Sequence, residues 1–232
     1  RDRSPSRGLG DVYKRQESAY GYMEWLLNQY IHHTRRKVWE PLSEMFPLRQ
    51  EGYLMLIRIN KQHLILNEEM KREIGYFIKK HLIDTSSITF QVNGTENLLA
   101  VLALSGSRIE QEQITQIEEF IQNILVLEKN RIYFAVSSLY SDMESCGNKA
   151  YEEAMAAMKY SFYEEERYLQ AEKYLSDEKQ EDSVGSEAIL NSIKEGNLEK
   201  SEAIFEKITE VLSEHKSVQP DIFKRKIVFF FF

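Results

Sequence analysis

The sequence predicts an α+β fold: a mainly antiparallel sheet with helices packed on it. Three observations carry this reading. Apolar, β-prone runs of strand length recur near 52–60, 88–92, 98–104 and 131–137. An Asn93-Gly94 pair sits between the second and third runs, the strongest short signal for a hairpin. Segments of helical apolar period fill the other intervals.

The elements follow in order. From Glu17 to about Phe46, Met23, Leu26, Leu27, Tyr30 and Ile31 form one stripe of an amphipathic helix, which Pro41 and Pro47 interrupt. Gly52–Asn60 (GYLMLIRIN) is a near-continuous apolar run and reads as a central strand covered on both faces. Asn67 precedes a helix to about Leu82, with Met70, Ile74, Phe77 and Ile78 facing inward. Strands at Ile88–Val92 and Leu98–Leu104 flank the Asn-Gly turn, and Gly106-Ser107 closes the second. A helix from about Gln111 to Leu127 places Ile114, Ile117, Ile121 and Ile124 on one side, and Arg131–Ser137 alternates as a fourth strand. The helix at about Glu144–Tyr163 buries Tyr151, Ala154, Met155, Met158 and Phe162, its small residues allowing close approach to a sheet. Arg167–Tyr174 reads as a short edge strand. The predicted order is β-α-β-β-α-β-α-β, with two helices on one face of the sheet.

Beyond this unit, Asp177–Ser186 is charged and carries Gly and Ser, as a linker would. In the helical stretch that follows, Leu198, Ser201, Phe205, Ile208 and Leu212 repeat at coiled-coil spacing. They suit either a dimer seam or a helix docked on its own domain. The expected organisation is an N-terminal linker helix at 17–50, the α+β domain at 51–175, a linker at 176–186 and a helical connector at 187–228. Residues 1–16 carry no structural period, and Asp11–Gln16 resembles a translated library-preparation adapter; a disordered arm is the other reading. The four phenylalanines at 229–232 resemble read-through of a thymine run, although an apolar helix face would also fit.

Composition narrows the function. The 232 residues carry a net charge of −7, with 37 acidic against 30 basic side chains, so a phosphate-gripping surface is not expected of this chain itself. Its 13 Tyr and 12 Phe suffice for a substantial core. The lone Cys146 excludes a disulfide framework and fits a reducing cytoplasm. No apolar run has membrane-spanning length.

Two stretches resemble known families. The β-α-β-β-α-β order, with its turn at Val92–Asn97, resembles a degenerate diguanylate-cyclase (GGDEF) domain. Phe134–Tyr174, with Val136-Ser137-Ser138 and then Tyr151-Glu152-Glu153-Ala154, is similar to the central domain of AraC-type bacterial transcription regulators. Ile189–Ile208 resembles the connector leading into their helix-turn-helix pair. The resemblance implies a signal-relay module between an upstream receiver or membrane sensor and a C-terminal DNA-binding domain, neither of which this chain includes. DNA would be touched only through that domain, a sensor kinase only through a receiver, and a homodimer is expected.

The same resemblance locates a degenerate nucleotide site. Family cyclases place carboxylates on the first strand and in the hairpin to hold Mg²⁺, a hard cation that takes oxygen ligands. Here the first strand ends Arg58-Ile59-Asn60, and the hairpin reads Asn93-Gly94-Thr95-Glu96-Asn97. Of the family pattern Gly94 and Glu96 remain, Thr95 stands at the metal-ligand position, and a cationic Arg58 opposes a divalent ion. No catalysis and no cofactor are expected. A second reading keeps this cleft as a ligand sensor without turnover, with Arg58 and Glu96 as contacts.

Other chemistry finds little support. His32 and His33 point apart on a helix, and His63, His81 and His215 lack ligand spacing. Cys146, at a helix start, reads as a small packing residue, and Ser105-Gly106-Ser107 lacks the second glycine of a nucleophile elbow. Glu164–Glu166 reads as a solvated helix end. The tyrosines at 140, 151, 160, 163, 168 and 174 read chiefly as core with hydroxyls reaching outward.

Overall fold

The computed structural model describes residues 20–32, 36–61, 64, 66–82, 85–95, 97–127, 131–161 and 167–175, with 202, 203 and 206. The elements are α1 (20–32), α2 (Arg36–Met45), β1 (Gly52–Ile59), α3 (Glu68–His81), β2 (Ser86–Gln91), β3 (Leu98–Leu104), α4 (Gln111–Leu125), β4 (Ile132–Val136), α5 (Met143–Tyr160), β5 (Tyr168–Gln170) and α6 (Ala171–Leu175). The five strands form one sheet in the order β2-β3-β1-β4-β5, antiparallel except for the β4–β5 pair. The α+β fold read from the sequence is the fold observed.

Local chemistry sets the boundaries. Asn67 caps α3, its Oδ1 accepting from the Met70 N–H at 2.8 Å. Asp142 does the same for α5 through the Glu144 N–H at 3.0 Å, so that helix starts one residue before the predicted Glu144. Gly94 turns the β2–β3 hairpin at φ +78°, a conformation glycine adopts without steric cost. Gly52 is needed for a different reason. A Cβ there would lie 2.4 Å from the Ala103 carbonyl across the β1–β3 pairing.

β1 is central, and every residue of it except Arg58 is buried. Alternate positions feed two cores, because successive strand side chains point to opposite faces. Leu54 and Leu56 join Phe90, Leu102 and Ala135 in one core, while Met55 and Ile57 join Val101 and Phe134 in the other. The second core is closed by α3 and α4 through Ile74, Ile78, Ile114, Ile117 and Ile121. Phe77 stacks on Phe120 across that helix pair at 3.8 Å.

The prediction of helices on one face holds for α3 and α4 and needs correction for the rest. The opposite face is covered by α5 through Ala150, Ala154, Ala157 and Met158, and by α1 and α2 through Leu26, Leu27, Tyr30, Ile31, Trp39 and Leu42. A central strand apolar on both sides requires two covering layers, and one helix pair supplies only one. The segment expected as a linker at 17–50 therefore contributes helices to the domain's own core. Pro41 lies inside α2 rather than ending it. It forfeits one backbone hydrogen bond, while burial of Trp39 and Leu42 on either side holds the helix in place. The predicted edge strand at Arg167–Tyr174 divides into a three-residue strand and a short helix, α6, whose Tyr174 stacks on Tyr160 at 4.5 Å. Phe162 and Tyr163 lie outside the described residues, as do the seam positions Leu198, Phe205, Ile208 and Leu212.

Candidate functional site

Arg58, Asn60, Gly94 and Thr95 lie at one end of the sheet, where β1 runs out beside the β2–β3 hairpin. Arg58 pairs in register with Leu98 on β3 and Tyr133 on β4. Its guanidinium donates to Ser161 Oγ at the end of α5 and lies 5.2 Å from the Tyr133 ring centre. Burial pushes its pKa down, and the neighbouring Tyr133 pulls the other way. Thr95 is likewise engaged: both its hydroxyl, at 2.7 Å, and its N–H, at 3.3 Å, donate to the Val92 carbonyl and tighten the turn. The Asn60 N–H donates to the Arg131 carbonyl at 2.6 Å, and the Asn97 amide donates to the Lys61 carbonyl at 3.0 Å. Glu96 lies outside the described residues.

These residues do not fit a Mg²⁺ site. A hard dication takes several oxygens, carboxylates foremost. Here a cation stands at one expected ligand position, and the hydroxyl at the other is spent on the turn. Among the described residues no group of three or more His, Cys, Asp or Glu is placed to hold a metal ion.

The Val136-Ser137-Ser138 segment and the Tyr151–Ala154 segment of α5 interlock. Glu153 on α5 accepts from the Ser138 N–H at 3.1 Å through one carboxylate oxygen and from the Tyr140 hydroxyl through the other. Ser137 Oγ accepts from the Leu54 N–H at 3.0 Å and donates to the Ser138 carbonyl at 2.9 Å. The Val-Ser-Ser turn is thus tied to β1 on one side and to the Tyr-x-Glu-Ala helix on the other. Ala154 is fully buried against the sheet, and Tyr151 meets His32 of α1 edge-on at 4.9 Å. Burial and the Glu153 hydrogen bond together push the Tyr140 pKa far above the usual phenol range.

The third feature was not legible in the sequence. Helix α1 lies along the free edge of β2, and its polar side chains stand in for a neighbouring strand. Glu24 Oε1 accepts from the Gln91 N–H at 2.8 Å. Asn28 donates to the Gln91 carbonyl at 2.9 Å and accepts from the Asn93 N–H at 2.8 Å. Tyr20 donates to the Thr89 carbonyl at 3.3 Å, and burial pushes its pKa up to about 12. Behind the clamp, the buried Lys71 bridges Glu68 at 2.5 Å and Glu24 at 3.5 Å. An exposed sheet edge is a template for unwanted pairing, and covering it is one way proteins blunt it. Glu24 and Asn28 stand one helical turn apart beside the apolar stripe, and nothing in sequence separates such a pair from ordinary solvated polar residues.

The far end of α1 is fixed just as closely. Tyr30 donates to the Met143 carbonyl, and its ring fills the space a side chain at Gly147 would need: a Cβ there would lie 2.0 Å from the ring. Asn148 donates to the Ile31 carbonyl at 2.8 Å, satisfying an end group of α1. Cys146, beside this contact, is half-buried with the Ser145 hydroxyl at 3.6 Å.

A groove of about 850 Å³ opens elsewhere, between α4 and β5, on the sheet face opposite Arg58. Phe134 and Ile114 form its floor, and the Glu118–Arg167 ion pair, Tyr168 and Gln170 its rim. Burial raises the Glu118 pKa, and Arg167 offsets part of that rise. The groove lies away from Arg58, one of the two contacts expected of a ligand sensor; the other, Glu96, lies outside the described residues.

Among the described residues no helix is long and apolar enough to cross a membrane. No protein-family model matches the chain, and no curated protein matches it.

Proposed function

We propose that this chain is a non-catalytic relay module of an AraC-type bacterial transcription regulator, acting in the cytoplasm. It would couple an upstream sensor or receiver to a helix-turn-helix domain that alone touches DNA, and would work as a homodimer. The single observation that carries this reading is the clamp of α1 on the β2 edge and hairpin. A helix bonded to a strand edge at three backbone groups within one turn cannot rotate or slide without moving the hairpin. The other end of α1 is bonded to α5, so displacement also reaches the helix that locks the Val-Ser-Ser turn. Packed elements sharing such contacts are one route by which a displacement passes between sites.

The cyclase-like end of the sheet supports the non-catalytic part. Arg58 and Thr95 have been drawn into internal bonds, which leaves that end a structural junction. Two measurements test the proposal. Incubation of the chain with GTP and Mg²⁺ should yield no cyclic dinucleotide; its formation would overturn the non-catalytic assignment. Hydrogen exchange at the Asn93 amide should quicken when Asn28→Ala removes its acceptor, and unchanged exchange would remove the relay's mechanical basis.

A second reading, ligand sensing without turnover, is favoured by the groove between α4 and β5. A thermal-shift screen with nucleotides and small metabolites, repeated on Thr115→Trp to fill the groove, separates it from the relay. A shift that the filled variant loses supports sensing, and none in either chain rejects it.

A further inference from the structure

The apolar stripe of α1 is consumed by the chain's own core: Leu26, Leu27, Tyr30 and Ile31 are each no more than 2 % exposed. Any association through α1 must use the opposite face. That face carries Tyr22 and Trp25, 48 % and 46 % exposed and stacked at 6.0 Å, with Gln29 completing the row. The positions 22, 25 and 29 follow the 3-4 spacing that sets a seam along one side of a helix. Gly21 beside them has nothing within 4 Å of where a side chain would start, leaving room for close approach.

We infer that this outer face of α1 is the contact surface for a second copy of the chain, paired helix against helix. Charge selects the partner. Within residues 20–32 the single charged side chain is Glu24, and it is turned inward to Gln91 and Lys71. A two-fold contact sets each residue against its own surroundings in the partner, so any charge on the patch would be brought close to itself. A chain of net charge −7 carries a general repulsion between copies, and a neutral aromatic strip adds none of its own. The contact is weak. A helix of this length spans only about 20 Å, and its strip falls well short of the roughly 800 Å² per partner of a stable interface. Association therefore depends on concentration, as suits a surface whose occupancy an attached sensor could set. The inference rests on the relay reading in naming a homodimer, yet the two fail separately, because this test measures assembly and the earlier ones measure turnover and hairpin exchange.

The test is sedimentation equilibrium on the full chain across a wide concentration range. The expected result is a monomer–dimer equilibrium whose dissociation constant rises at least about tenfold in Tyr22→Glu/Trp25→Glu. Gln29→Glu, which removes no aromatic packing, should weaken the dimer at low salt and recover at high salt. Unchanged circular dichroism and thermal midpoint show that both variants remain folded. Three outcomes overturn the inference: a wild-type chain monomeric at the highest attainable concentration, a dimer indifferent to all these substitutions, or a monomer that instead binds phosphatidylcholine vesicles through Trp25.

Discussion

Asn28→Ala is the most direct test of the clamp, and its cost can be worked from the contacts. The side chain is almost fully buried and joins α1 to two backbone groups of the hairpin, at 2.9 and 2.8 Å, as well as to its own helix at Glu24. Each net hydrogen bond across elements is worth about 1 kcal/mol, and a donor or acceptor left partly buried without a partner costs about 1–3 kcal/mol. Asn93 is exposed, so water can reach its N–H once the amide is gone, which places that loss at the lower end. Alanine recovers roughly 0.5 kcal/mol through its better helix propensity. The net expectation is a loss of about 1.5–3 kcal/mol, read as a lower urea midpoint at unchanged slope, with faster exchange at the Asn93 amide. Asn28→Asp separates the two bonds. Its carboxylate can still accept from Asn93 but faces the Gln91 carbonyl oxygen without a proton to donate. It should therefore be worse than alanine at neutral pH and improve as acid returns that proton. A loss below about 0.5 kcal/mol for alanine, with hairpin exchange unaltered, would show that α1 rests on the edge without holding it.

Four further outcomes follow from the same structure. Gly147→Ala forces the Tyr30 ring aside; overpacking of about 3 kcal/mol, less about 1 for helix propensity, predicts a net loss near 2 kcal/mol in denaturant unfolding, and a neutral result would refute the close contact. Glu153→Ala removes the acceptor shared by Ser138 and Tyr140 and should cost about 2 kcal/mol or more, with Glu153→Gln costing less than half as much, both read from the thermal midpoint. Val126 ends α4 at φ +47° with its side chain 84 % exposed, so Val126→Gly should stabilise by roughly 0.5–1 kcal/mol in the same assay. Finally, burial holds Tyr30 and Tyr53 above the ordinary phenol pKa, chiefly by desolvation, and Tyr20 at about 12. From about pH 10 upward the unfolded chain sheds phenol protons that the native one retains, so stability must fall as pH rises; an alkaline denaturant series showing constant stability would contradict the burial of these hydroxyls.

How far the sequence determined this protein differs from element to element, for reasons that are local or not. β1, the Asn-Gly hairpin, the Asn67 cap and the inward faces of α3 and α4 were legible because each is written within a few consecutive residues: an apolar run, a turn pair, a capping side chain, a helical period. Of the α5 stripe, Ala154 and Met158 are buried as expected, while Tyr151 and Met155 are only partly buried and Gly147, Ala150 and Ala157 complete the face. The α+β class followed from their order. Arg58 at the end of β1 and Thr95 in the turn were locatable because strand end and turn are each set by neighbouring residues.

What the apolar stripe of α1 packs against was not legible. The period 23-26-27-30-31 fixes that a face is buried, while the same pattern serves equally for a dimer seam or for a sheet. Only the tertiary structure decided it, by leaving one face of a doubly apolar β1 to be covered and bringing Gly147 to the spot where Tyr30 could enter. The clamp of Glu24 and Asn28 on β2 lay further still from view. Its partners are backbone groups more than sixty residues away, and a backbone amide carries no sequence signature. Spacing along one helix can reveal which side is apolar, but which polar side chains meet a distant strand edge is set by three-dimensional packing alone.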